Sequence, residues 1–257
     1  MPFNFDFVWL LLLIPAFYLV VPIFVWQHPF PAHPKLEQLD FEKIGRARGD
    51  FLLKQTASLY ALGFEEATLV RMPNAAPNVT TFLIMLVNRQ RGDKAMVTAI
   101  VGRAAVATLE TRYVEFSTRF DTGAVFNTLN SSELLAFPPA PQAVRTQVPS
   151  IGDVEKLYKL HQFAMNKHNV GGKKVVYEPG QALDYLVRYA FQEVYERQVK
   201  RGRLYFDENK DAYCTTFKGA YLLTWGLTQP FKLFRVLAMH LREMRILREF
   251  DEADSGN

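Results

Sequence analysis

With 257 residues, 49% of them apolar and 22% charged, the chain can bury a sizeable core, which excludes general disorder. A formal charge of +4, with the basic residues gathered toward the C-terminus and no nucleic-acid motif, argues against nucleic acid as a partner. The single cysteine, Cys214, excludes an internal disulfide and a thiolate metal cluster.

Phe7–Trp26 (FVWLLLLIPAFYLVVPIFVW) has no charge over about 20 residues, the length a bilayer core requires. Trp9 and Trp26 stand near its ends, where indoles favour the headgroup region. The N-terminus MPFNFD lacks a basic n-region, so the stretch reads as a transmembrane anchor within residues 1–27, not a cleaved signal. Lys35, Lys43, Arg46 and Arg48 follow it, and the positive-inside rule then puts the N-terminus outside and a soluble domain in the cytoplasm. Residues 28–38, with Pro29, Pro31 and Pro34, read as a stiff polyproline-like spacer.

Residues 39–215 read as the soluble domain. Phe41–Leu62 carries helical spacing and meets Gly63 at its stop. Thr80–Val87 and Ala95–Val101 are continuous apolar runs that predict central strands buried on both faces, joined by the turn Arg91-Gly92-Asp93. Thr108–Phe120 predicts a longer strand with interleaved charge, returned by Asp121-Thr122-Gly123 into Ala124–Thr128. Ser150 is the expected cap of a helix running to about His168. A third helix is expected over Gln181–Arg201, then a small hairpin over Arg203–Thr215. The fold class is therefore α+β: an antiparallel sheet of about four strands packed by three helices, preceded by one N-terminal transmembrane helix and followed by an amphipathic C-terminal helix.

Residues 216–249 are apolar and basic. Over Phe231–Arg248, Phe234, Leu237, Leu241 and Met244 share one side, while Lys232, Arg235, Arg242 and Arg245 take the other. With Trp225 nearby, this is the pattern of a helix lying in a membrane interface against anionic headgroups; the competing reading is a terminal helix packed on the domain. Residues 250–257 are acidic and expected to lack structure.

Few residues point to chemistry. Asp207, Asn209 and Asp211 resemble the start of a calcium loop, but Ala212 and Lys218 occupy the positions that need Gly and a bidentate Glu. Gly171-Gly172-Lys173-Lys174 lacks the spacing of a phosphate loop, and His161 and His168 are too far apart to chelate one metal. No metal or cofactor is expected. Strand alternation puts Glu110 and Arg112 on one face and Glu115 and Arg119 on the other. Arg112, Glu115 and Arg119 are the candidates for an anion site, with cross-strand ion pairing as the competing reading. The functional expectation is a membrane-anchored, non-enzymatic binding or adaptor module whose partners are the lipid bilayer, anionic headgroups or another protein. The 14% share of aromatic residues motivates an apolar-ligand domain as the alternative, and a hydrolase or transferase built on the strand residues is the second alternative.

Overall fold

The two apolar runs predicted as central strands form the middle of a seven-stranded sheet. The computed structural model describes residues 5–76, 78–103, 107–169 and 171–255; of 5–14, 42 and 74–76 it describes the backbone alone. The chain divides into two units, one of Met1–His33, Leu134–Pro138 and Phe191–Val236, the other of Pro34–Glu133, Pro139–Ala190 and Leu237–Asn257.

The second unit holds β2 (Glu37–Gln38), β3 (Glu65–Ala76), β4 (Val79–Asn88), β5 (Asp93–Arg103), β6 (Thr108–Arg119), β7 (Val125–Leu129) and β8 (Ala143–Gln147), hydrogen-bonded in that order. Every ladder is antiparallel except β7–β8, which is parallel. The expected antiparallel sheet of about four strands is therefore corrected to a mixed sheet of seven. The sequence concealed β3 because it opens on Glu65 and Glu66 and contains Pro73. A register shift between Pro73 and Ala76 accommodates the proline, which cannot donate to a regular ladder. β8 escaped because a parallel partner needs a long crossover and leaves no hairpin signal.

Alternation along β5 sends Ala95, Val97 and Ala99 to one face, where all three are fully buried. There they join Phe116 of β6 and two helices, α2 (Arg46–Ala61) through Leu52 and Leu59, and α3 (Val154–His168) through Leu157 and Leu160. α2 ends where Gly63 takes a left-handed conformation; the Phe64 amide donates to the Leu59 carbonyl and that of Gly63 to Tyr60, a Schellman closure. The cap of α3 is Asp153 and not Ser150: its carboxylate accepts from the Lys156 amide at 2.7 Å. Ser150 instead donates through its amide and hydroxyl to Glu243. The expected third helix is divided into a 3-10 turn at Pro179–Gln181, α4 (Ala182–Tyr185), a π-helix (Leu186–Gln192) and α5 (Glu193–Lys200).

In the first unit, β9 (Leu204–Asp207) and β10 (Ala212–Thr215) form the expected hairpin. β1 (Pro29–Pro31), drawn from the predicted spacer, adds to β10 as a third antiparallel strand. The N-terminal helix α1 (Phe5–Val25) runs beside α6 (Phe217–Leu227). Pro22 has no N–H, which releases the Tyr18 carbonyl from the helical ladder, and Trp225 Nε1 donates to that oxygen at 2.9 Å. The Tyr221 hydroxyl donates to the next carbonyl, Leu19, also at 2.9 Å.

The expected membrane-spanning anchor is overturned: among the described residues no helix is long and apolar enough to cross a membrane. The single-pass topology, and the outside-to-cytoplasm placement that rested on it, fall with the span. The helices also exceed the three expected around the sheet. The last of them, α7 (Phe231–Ser255), continues through most of the acidic segment expected to lack structure. Phe250 holds it there: its ring is buried in the main core and lies edge-on to Phe163 at 5.6 Å.

Phe250→Ala is expected to lower unfolding free energy by about 3–5 kcal/mol in urea denaturation, the range for a buried phenylalanine. A tail that only frays would leave the midpoint unchanged.

Candidate functional site

Two polar clusters lie on opposite faces of β5 and begin at adjacent residues. Asp93 points toward α3 and is almost wholly buried. Its Oδ1 accepts from Thr118 Oγ1 at 2.6 Å and Lys174 Nζ at 2.8 Å; its Oδ2 accepts from Tyr158 OH at 2.7 Å and Gln162 Nε2 at 2.9 Å. Burial by itself would raise its pKa, yet hydrogen bonds from Lys174, Thr118 and Tyr158 outweigh burial and hold it below the ordinary value. Thr118 gives its proton to Asp93, so the His161 Nε2 atom, 2.9 Å from the same oxygen, must be the donor between those two. His161 Nδ1 then accepts from Thr128 Oγ1 at 3.0 Å. Burial pushes the imidazole down to about 4, with Asp93 opposing. This Asp–Thr–His chain resembles nucleophile activation, but His161 and Thr118 are both fully buried and every polar atom of the chain has a partner. Its chemistry is structural.

The other face is different. Cross-strand register aligns Lys94, Ser117, Asn127 and Arg145 across β5, β6, β7 and β8. The neighbouring row places Met96 opposite Glu115, and the next Thr98 opposite Tyr113. Over them lies a roof of Tyr177, Tyr185 and Tyr189, with Tyr185 4.3 Å from Tyr177 and 4.7 Å from Tyr189 between ring centroids. Tyr189 belongs to the π-helix, an irregularity that recurs at functional sites. Lys94 Nζ stands 3.4 Å from the Tyr185 centroid and 3.9 Å from that of Tyr177. It is 2% exposed and has no hydrogen-bond partner among the described residues. Burial, then the nearby Arg119, pushes its pKa well below the ordinary lysine value, against a smaller opposing pull from Asp93. Arg119 lies over the Tyr189 ring at 3.9 Å. Glu115 is buried, which raises its pKa, while Arg145 pulls the other way. Burial pushes Tyr113 and Tyr185 each up to about 12. At the rim, Glu65 and Glu178 both pair with Arg89. Among the described residues, the interior of this face thus gathers the basic side chains Lys94, Arg119 and Arg145 and the carboxyl of Glu115.

Of the residues singled out on the long strand, Glu115 and Arg119 belong to this face. Arg112 is on the other, paired with Glu110 at 2.7 Å and lying over the Phe51 ring, while Arg48 shares Glu110. Lys94 and the tyrosines were not anticipated, though one signal was available: alternation back from the apolar run Ala95–Val101 carries Lys94 into a buried strand. Among the residues expected at a membrane interface, Phe234, Leu237 and Leu241 project from α7 more than half exposed, and Lys232, Arg242 and Arg245 are exposed as well. Arg235 turns inward, donating to the Gly226 and Leu135 carbonyls at 2.6 and 2.8 Å. Trp225 is engaged with α1 as described, Trp26 lies edge-on to Phe217, and the side chain of Trp9 is outside the described residues. Among the described residues no His, Cys, Asp and Glu group could hold a metal ion.

A histidine whose pKa is near 4 when folded and 6.5 when unfolded resists protonation only in the native state, so the stability it permits is lost as pH falls from 6.5 to 4. Measured by urea denaturation across that window, the wild type is expected to lose about 3 kcal/mol relative to His161→Gln, the other titrating groups being common to both. Equal slopes would show that His161 is protonated in the fold. The chain matches no known family model, no curated protein and no solved structure.

Proposed function

We propose that this chain is a non-enzymatic binding module whose ligand site is the tyrosine-roofed face of the seven-stranded sheet. The observation that carries this reading is the Lys94 side-chain amine, buried and without a hydrogen-bond partner among the described residues. Buried polar groups in folded proteins are nearly always paired, and one left unpaired costs stability that only a compensating role retains. The Asp93 cluster on the opposite face of β5 supplies the contrast within the same chain, since all its groups are satisfied. Polar side chains across β5–β8 favour a polar ligand over the apolar one that the aromatic content suggested. The hydrolase or transferase alternative draws little support, because Arg112 is separated from Glu115 and Arg119 by the sheet itself.

Lys94→Met tests the reading whatever the ligand is. Removing an unpaired buried amine while keeping its volume is expected to stabilise the free protein by about 1–3 kcal/mol in urea denaturation. A residue retained only for its packing against Tyr177 and Tyr185 would instead lose stability on substitution, and that result would remove the basis for a ligand site here.

A further inference from the structure

We propose that the first unit carries a second binding surface, independent of the tyrosine-roofed face, and that its partner is the surface of an anionic bilayer. The uneven cover of α1 carries this. Where its side chains are described, Pro15–Val25 reads PAFYLVVPIFV, with no charge on any side. Tyr18, Val21, Pro22 and Val25 form one seam at helical spacing and are largely covered, on a helix whose main neighbour is α6. The other seven residues are exposed, Phe24 to 82%. A surface helix of a globular protein is polar away from its packed stripe. One that is apolar on every side needs apolar surroundings.

The exposed apolar area runs on from the end of α1. Between ring centroids, Trp26 lies 5.9 Å from Phe217, Phe217 4.7 Å from Tyr221, Tyr221 5.3 Å from Trp225 and Trp225 6.4 Å from Phe231. Trp26, Phe217, Trp225 and Phe231 are each more than a third exposed. Trp and Tyr favour the boundary between headgroups and acyl chains. Charge selects the headgroup. No acidic residue stands between Asp6 and Glu37 or between Asp211 and Glu243, while Lys218 and Lys232, next in sequence to Phe217 and Phe231, are exposed. Such a surface attracts anionic lipid.

A protein partner fits less well. A packed helix covers one stripe of its neighbour, whereas α1 is open on all sides but the seam, and fluid acyl chains surround a convex helix without a matching shape. A second copy would present the same patch, setting Lys218 and Lys232 against their own kind with no carboxylate in either stretch to receive them. A helix held in this way lies in the interface and does not cross the bilayer.

The experiment is co-sedimentation of the full chain with vesicles of mixed phosphatidylglycerol and phosphatidylcholine, and with vesicles of phosphatidylcholine alone. Phe24→Glu is the variant. Leu109→Glu, which adds the same charge at an exposed leucine of β6 in the other unit, is the control. Wild type and Leu109→Glu are expected to bind the phosphatidylglycerol vesicles. Binding is expected to be at least about tenfold weaker to phosphatidylcholine alone, and at least about tenfold weaker in Phe24→Glu. No binding, equal binding to the two lipids, or binding unchanged in Phe24→Glu overturns the inference. A dimer in lipid-free sedimentation velocity that Phe24→Glu dissociates also overturns it, since a second copy then closes the patch. Because Phe24 is so exposed, Phe24→Glu is expected to keep the urea midpoint of the wild type. Should it unfold instead, vesicles with brominated acyl chains decide on the wild type. They must quench its tryptophan fluorescence, and unquenched fluorescence overturns the inference.

Discussion

The carboxylate of Asp93 is the point on which the second unit turns. It stands at the first residue of β5 and collects donors from β6, from two successive turns on one face of α3 and from Lys174. Hydrogen bonds to a charged group contribute about 1.5–3 kcal/mol each, so four of them exceed what burying the carboxylate takes away. The turn before it must be tight. Gly92 is in the left-handed region, and a Cβ there would lie 2.8 Å from Lys174 Cβ. The same backbone step that aims Asp93 at α3 aims Lys94 the opposite way, since successive strand residues point to opposite faces. Fixing one fixes the other.

That coupling sets two buried polar clusters side by side with opposite character. Around Asp93 and His161, each donor meets an acceptor, and the network joins helix to sheet. Around Lys94, basic side chains, Glu115 and tyrosine rings meet, and the Lys94 amine lies against ring faces with no hydrogen-bond partner among the described residues. A protein core accepts the first arrangement as structure. It holds the second only against a loss of stability.

The first unit shows how a proline can be used in place of a broken helix. Pro22 frees the Tyr18 carbonyl, and the indole of Trp225 completes it from α6. The Thr215 hydroxyl likewise takes the Val25 carbonyl at the helix end. The carbonyls of Tyr18, Leu19 and Val25 are thereby satisfied by neighbouring side chains. Along the chain alone, Pro22 lies within the stretch read as a membrane span and Trp225 beside the helix read as interfacial. They are 203 positions apart and nothing local connects them.

Local periodicity and turn chemistry made part of this fold legible in the amino-acid order alone. The buried pair β4 and β5, the stop at Gly63, the two faces of β6 and the hairpin at β9–β10 each depend on residues within one or two elements. Long-range contacts supplied the rest. β3 and β8 joined the sheet despite acids, a proline and half-buried patterns, since their register is set by partners already in place. α7 kept its helix through an acidic tail because Phe250 found a core to enter. The candidate site was the least legible feature of all. It needs Lys94, Arg119 and Arg145 from three strands and tyrosines from a segment beyond α3, brought together by a sheet register that no stretch of sequence states alone.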